Sequence, residues 1–407
     1  MDKLSQEIID LICGHLVSND EEERLKLWTY RCLSRQWQAA LERRAYASVS
    51  ILSDDADDFV RKLNPDRARY VREVHFHAMS NHPEPLRENE AARYPRYGDD
   101  GGHVCAPYYQ TALLANLTTI MKHMAKWEVE YPIFFSISGT YLRLNEKSLL
   151  KFPIIKNITT FSCIVKNMDP IDSCNLATRM PELREFRFAI QHHTKEQRSD
   201  LADEIGTLGE KLPHLESLEI LGEYDIRIRQ KPAFHPEDMR NEAGVDRLCQ
   251  ELRLLSQKRG FKHLRMEHFP ISRELFEDTL NPEANMSWPT LEEFMVLPHE
   301  ISSTGEWFFL EDHGRGNLGD IKGFRYKNDD AAQAPIIELF LRATSLESSP
   351  AMKRAGLGFR TEVPIKNGLR IGYQILASSK GKEEDGSLKG KEDMDALFNF
   401  RIRDGSD

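Results

Sequence analysis

His75 and His77 stand two residues apart in VREVHFHA, residues 71–78. In an extended strand that spacing puts both imidazoles on one face, where they could bridge a metal ion. No third ligand follows at a matching spacing, and a solvated strand face is the plainer reading. His192 and His193 are adjacent, so they alternate across faces or sit in a loop. The stretch YGDDGGH, residues 97–103, gathers glycines and carboxylates as a phosphate or cation loop does, but lacks the Gly-x-x-x-x-Gly-Lys-Ser/Thr order. GLGF at 356–359 is too short for a nucleotide fingerprint, and both stretches read as turns. No Gly-x-Ser-x-Gly elbow and no kinase set is present. The 65 carboxylates single out no pair as an acid–base dyad. The expectation is a non-catalytic chain with no cofactor and no metal.

Six cysteines, Cys13, Cys32, Cys105, Cys163, Cys174 and Cys249, include no CxxC pair, and several fall at apolar positions. They read as small buried hydrophobes rather than zinc ligands or disulfides. Trp288, Trp307, Phe308 and Phe309 are either anchors for a bound protein or core, and Trp288 directly precedes a strand-like segment.

The chain that must position these residues is long enough for one large domain and a small one: 407 residues, 40% hydrophobic and 29% charged. Fifty-five basic against 65 acidic residues give a net charge of −10, which argues against a general nucleic-acid or anionic-membrane binder. No apolar run approaches a membrane span. The start, MDKLSQEIID, has no basic segment leading into an apolar one, so a cytoplasmic or nuclear protein is expected.

Residues 5–16 read as a helix, with Ile8, Leu11, Ile12 and Leu16 on one face and Ser5 as cap. Ser18 with Glu21 fits a capping box for a second helix. Leu33, Trp37, Ala40 and Leu41 share a face of a third, closed by Glu42-Arg43-Arg44. Ile9, Leu25, Leu27 and Trp28 fall partly outside these faces. So short a unit has room for one small core, so the surplus packs either on the rest of the chain or on a partner.

Beyond it, the pattern apolar-x-x-apolar-x-apolar returns as VREVHF from 71, ITTFSC from 158, LREFRF from 183, LESLEI from 215, FKHLRM from 261, LEEFMV from 291 and IKGFRY from 321. The last two apolar positions of each alternate as in a half-buried strand. Intervening stretches look helical, as at 237–260, where Val245, Leu248, Leu252 and Leu255 form one stripe. Two architectures fit: a leucine-rich-repeat-like solenoid, or a plain α/β domain with an uneven parallel sheet. Residues 80–110 read as a long loop and 378–407 as a charged, flexible tail.

LSQEIIDLICGHL (4–16) joined to YRCLSRQWQAALE (30–42) resembles an F-box, the short helical motif that docks on the Skp adaptor. The matching positions are Leu4, Glu7, Ile8, Ile9, Ile12 and Leu16, then Leu33 and Trp37. The usual proline is Ser5, which can also start a helix. TYRCLSRQWQAALERRAY, WPTLEEFMVL and GEWFF are similar to segments of filamentous-fungal F-box proteins with long C-terminal regions. The resemblance implies an α/β chain with a three-helix F-box at 1–45, an irregular leucine-rich-repeat-like solenoid at 46–377, and the tail. It also implies a substrate-recognition subunit of a Skp–cullin–F-box ubiquitin ligase. The adaptor would contact Leu4, Ile8, Ile9, Ile12, Leu16, Leu33 and Trp37, and the C-terminal domain would hold a protein substrate. The alternatives are a scaffold that holds the adaptor outside a cullin complex, helices that merely cap their own solenoid, and an unrecognised enzyme.

Overall fold

The computed structural model describes residues 5–16, 33–78, 107–139, 142–144, 149–166, 168–190, 194–222, 237–279, 281, 286–311, 325–328, 330–345, 347–365 and 368–378. The expected second helix, His192–His193, YGDDGGH and the tail beyond 378 lie outside the described residues. The chain is an α/β protein that divides into two compact units, Met1–Asp172 with Arg179–Leu183, and Ser173–Thr178 with Arg184–Asp407.

The first unit carries α1 (Gln6–Leu16), α2 (Arg35–Ala45), β1 (Ser48–Leu52), α3 (Ala56–Lys62), α4 (Pro65–Ala68), β2 (Glu73–Ala78), α5 (Pro107–Met124), β3 (Ile133–Gly139) and β4 (Ile158–Val165). Helix α6 (Pro170–Ala177) follows. The four strands pair in sequence order, all parallel. Val74, Phe76, Phe135, Ile137, Phe161 and Cys163 are buried along one sheet face, while α5 buries Leu117, Ile120, Met121 and Met124. Phe59 of α3, His123 of α5 and Trp127 form a ring cluster with centroids 5.7–5.9 Å apart, His123 meeting the other two edge-to-face. The expected loop at 80–110 is shorter at its far end, because α5 begins at Pro107, a residue suited to a helix's first turn.

On the other face the register lines up Ser50, His75, Ser136 and Ser162 across the four strands. His75 Nδ1 hydrogen-bonds the Ser136 hydroxyl at 2.8 Å, and His77 Nδ1 the Ser138 hydroxyl at 2.9 Å. Both histidines thus have partners within the sheet. No group of three or more potential metal ligands occurs among the described residues.

The second unit carries β5 (Glu185–Ile190), α7 (Lys195–Lys211), β6 (Ser217–Gly222), α8 (Arg247–Ser256), β7 (His263–Phe269), β8 (Glu293–Pro298), β9 (Phe309–Glu311), β10 (Arg325–Asn328), α9 (Asp330–Ala343), β11 (Arg354–Ile365) and β12 (Gly368–Ser378). Strands β5 to β8 and then β11 pair in parallel, again in sequence order, and β12 closes antiparallel on β11. In β8 every residue from Phe294 to Pro298 is buried, whereas alternation along β5, β6 and most of β7 restricts close packing there to one face. Phe186, Phe188, Leu218, Ile220, Leu264, Met266, Phe294 and Val296 point into it.

The opposite edge of the pattern is charged. Just before each strand, a backbone N–H of the next strand's entry residue meets the preceding carbonyl, linking Arg184, Glu216, Lys262, Glu292 and Lys353 in a row. Their charges alternate. Glu216 takes Arg184 at 2.9 Å and Lys262 at 2.6 Å, and Lys353 meets Glu292 at 2.5 Å. Arg187 and Arg265 flank Glu219 in the same manner at 3.3 and 3.6 Å.

Six of the seven apolar hexads lead into the strands β2 and β4–β8, and all three apolar positions of each are buried. The seventh, IKGFRY, ends in β10, which pairs antiparallel with β9 rather than in the parallel run. GLGF is not a turn: it lies inside β11, where Leu357 and Phe359 are buried and the glycines take the alternate positions. Helix α8 starts at Arg247, later than the apolar stripe predicts, because Asp246 caps it by accepting from the Cys249 N–H. The four described cysteines, Cys13, Cys163, Cys174 and Cys249, are buried. Trp288 is fully buried with its indole N–H on Ser256 Oγ at 2.8 Å, and Phe308 is buried as well. No described helix is long and apolar enough to cross a membrane.

Candidate functional site

Helix α1 begins directly after Ser5, whose carbonyl accepts the N–H groups of Ile8 and Ile9. Ser34 caps α2 through its hydroxyl on the Trp37 N–H. The two helices pack through Ile9, Cys13, Trp37, Ala40 and Leu41, with Ile12 at the margin. Polar ties frame this small core. Arg43 meets the Asp10 carboxylate at 2.6 Å, Arg44 donates to the Asp10 carbonyl at 2.9 Å, and Gln6 donates to the Gln36 carbonyl at 3.3 Å.

This pairing decides which of two competing stripes on α1 faces inward. Positions 8, 11 and 12 form one apolar stripe and 9 and 13 another, about 100° apart. The second stripe is buried, so the expectation that Ile9 lies outside the packed face is reversed. Ile8 is 46% exposed and Leu11 64%. Leu33 is 46% exposed, because it precedes the Ser34 cap and so stands outside the helix whose face it was expected to share.

Of the seven expected contact residues, Ile8 and Leu33 are therefore exposed, Ile12 is half-buried, and Ile9 and Trp37 lie in the core. Leu4 and the side chain of Leu16 lie outside the description. Leu11 is the residue this set lacked. Its signal was the (i, i+3) spacing from Ile8, which places the two side chains as neighbours on one surface strip. Burial pushes the Cys13 thiol up from its ordinary value, so it serves here as packing rather than as a nucleophile.

Among the described residues the arrangement offers exposed apolar area on a helix pair. What it can do is bind. Covering a fully exposed Ile or Leu is worth about 1.5–3 kcal/mol, so Ile8, Leu11 and Leu33, each about half exposed, would each regain roughly half of that on a partner. Comparison with protein-family models and with curated proteins finds no match for this chain.

Proposed function

We propose that α1 and α2 belong to an F-box that docks on a Skp adaptor, and that the chain is a substrate-recognition subunit of a Skp–cullin–F-box ubiquitin ligase. One observation carries the reading: Ile8, Leu11 and Leu33 stay exposed on a helix pair whose own core is already filled by Ile9, Cys13, Trp37, Ala40 and Leu41. The outward residues supply the adaptor contact, while Ile9 and Trp37 act indirectly by holding the helices in place.

The rest of the chain serves as an irregular leucine-rich-repeat-like solenoid that holds a protein substrate. Support for this comes from parallel strands that pair in sequence order and from the alternating burial of β2, β5 and β6. Function is positioning: the substrate is kept at high local concentration near the conjugating enzyme, and no residue of this chain does covalent chemistry.

The test is co-expression of the full chain with a Skp adaptor, alongside Ile8→Asp/Leu11→Asp. A complex with the wild type that the double variant fails to form, at an unchanged melting midpoint, is the expected result. A folded wild type that ignores the adaptor overturns the assignment. Cullin recruitment by the adaptor complex then separates a ligase subunit from a scaffold that keeps the adaptor to itself.

A further inference from the structure

The second unit contains a cleft of about 450 Å³ between the segment after β7, the segment 302–308 and helix α9. Its apolar walls include Ile271, Phe308, Pro335, Ile336 and Leu339. The charged residues of its walls are four glutamates, Glu274, Glu277, Glu306 and Glu338, and three arginines, Arg240, Arg273 and Arg342.

The arginines are already engaged. Arg273 and Arg342 close on the two oxygens of Glu277 at 2.5 and 2.8 Å. Arg240 makes a two-pronged pair with Asp238, with its shortest contact at 2.7 Å. That leaves Glu274, Glu306 and Glu338 with no cation at ion-pair distance among the described residues.

Glu274 is the telling member. It is 4% exposed, and its Oε2 accepts no hydrogen bond among the described residues. Arg253, its buried neighbour, donates instead to the Glu274 backbone carbonyl. A carboxylate oxygen removed from water without a donor is costly, and the cost is relieved when a donor arrives. Arg240 has its charged form favoured first by its hydrogen bonds to Asp238 and then, more weakly, by Glu274 and Glu306, so both carboxylates lie near the same stretch of wall.

We infer that this cleft seats a lysine or arginine side chain of a bound protein segment, with the cationic head on Glu274 and Glu306 and the aliphatic stem along Ile336, Pro335 and Phe308. Long cationic side chains carry this combination of an apolar stem and a charged head. A bare metal ion fits less well, since the described residues hold no group of three or more converging ligands. The inference concerns the second unit alone and does not depend on the adaptor reading.

The test needs no adaptor, so the two readings fail separately. Fluorescein-labelled peptides, identical except for one central residue flanked by leucines, are titrated into the full chain and followed by anisotropy. The central residue is lysine, arginine, norleucine or glutamate. The expected result is that the lysine and arginine peptides bind about tenfold tighter than the norleucine peptide, with an advantage that shrinks in about 0.3 M salt. Glu274→Gln should remove most of that advantage and leave norleucine binding unchanged. Glu306→Gln/Glu338→Gln, on the solvent-facing rim, should remove a smaller part and decides the matter if the Glu274 variant fails to fold. Equal binding of lysine and norleucine peptides, tighter binding of the glutamate peptide, no binding of any peptide, or a lysine advantage that survives in both folded variants overturns the inference.

Discussion

The helix pair α1/α2 leaves Ile8, Leu11 and Leu33 in water, whereas the pair α7/α8 takes Arg198 and Arg253 out of it. In α7/α8 the apolar stripes of both helices are buried: Leu201, Ala202, Ile205 and Leu208 from one, Leu248, Leu252 and Leu255 from the other. Only Leu254 remains as a large exposed aliphatic in that pair. Arg198 is held there by a two-pronged contact with Asp246, at 3.0 and 2.7 Å, and by the Pro270 carbonyl at 2.8 Å. Ser272 adds a donor to Asp246 at 3.1 Å, and the Phe269 ring lies under the guanidinium. A fold that satisfies a buried ion pair so fully has the means to cover three aliphatic side chains. Their exposure at the N-terminus therefore supports a role for that surface in binding rather than a shortage of packing partners.

The contrast is sharpened most by cutting one ion pair in each region. Burial alone would raise the Asp246 carboxyl, but the Arg198 charge and hydrogen bonds hold it below its ordinary value. Asp246→Ala strands Arg198 in the core and should cost about 3–5 kcal/mol in urea denaturation. Removing the exposed Asp10 contact with Arg43→Ala should cost under about 1 kcal/mol. Equal losses at the two sites would erase the distinction between a buried tie and a surface one.

Next in size is Ile9→Ala, which empties part of a five-residue core and should cost about 2 kcal/mol or more. Hydrogen exchange should place the faster opening in α1 and α2 and leave α7 and α8 as they were. Ile8→Asp/Leu11→Asp, one residue away from Ile9 but facing outward, should shift the midpoint by about 0.5 kcal/mol or less while abolishing adaptor binding. If Ile8→Asp/Leu11→Asp destabilises as much as Ile9→Ala, the outward stripe is structural.

A further contrast is a difference in pH response. Burial pushes Asp172 of the first unit up to about 6, although it accepts the Leu144 N–H at 2.9 Å. A folded-state pKa above the unfolded value near 3.9 means the native state binds the extra proton. Its contribution is therefore present at low pH and fades as pH rises from about 4 to about 6. Asp246 in the second unit has the opposite sign, contributing above about pH 4 and fading as pH falls through its lowered pKa. Asp172→Asn should flatten the first dependence without touching the second. Melting curves from about pH 2 to about pH 7, which span both windows, with hydrogen exchange in each unit, would check this.

Much of the sheet was legible because its code is local. In VREVHF or LREFRF three apolar residues at fixed spacing all reach the core, and polar neighbours turn away. Strand β11 follows the same hexad at Met352, Ala355 and Leu357, but alanine is a weak apolar signal and two glycines resemble a turn. Strand β3 has Ile133, Phe135 and Ile137 buried, yet Glu130 stands where the hexad's first apolar residue belongs.

The N-terminal face was half legible. Helical spacing alone weights the 8/11/12 and 9/13 stripes of α1 equally, and only the docking of Trp37, Ala40 and Leu41 chooses between them. The acidic cleft was not legible at all, since its walls come from four segments that spacing cannot bring together.

The alternating row Arg184, Glu216, Lys262, Glu292, Lys353 imposes a parity rule on the architecture. Excising one strand-and-helix unit, for instance the one bearing Glu216, sets Arg184 beside Lys262, and two cations then share a seam built for opposite signs. Excising two neighbouring units restores the alternation. At partly exposed pairs such as these the penalty for one like-charge contact is small, so the seam favours changes in even steps without forbidding odd ones.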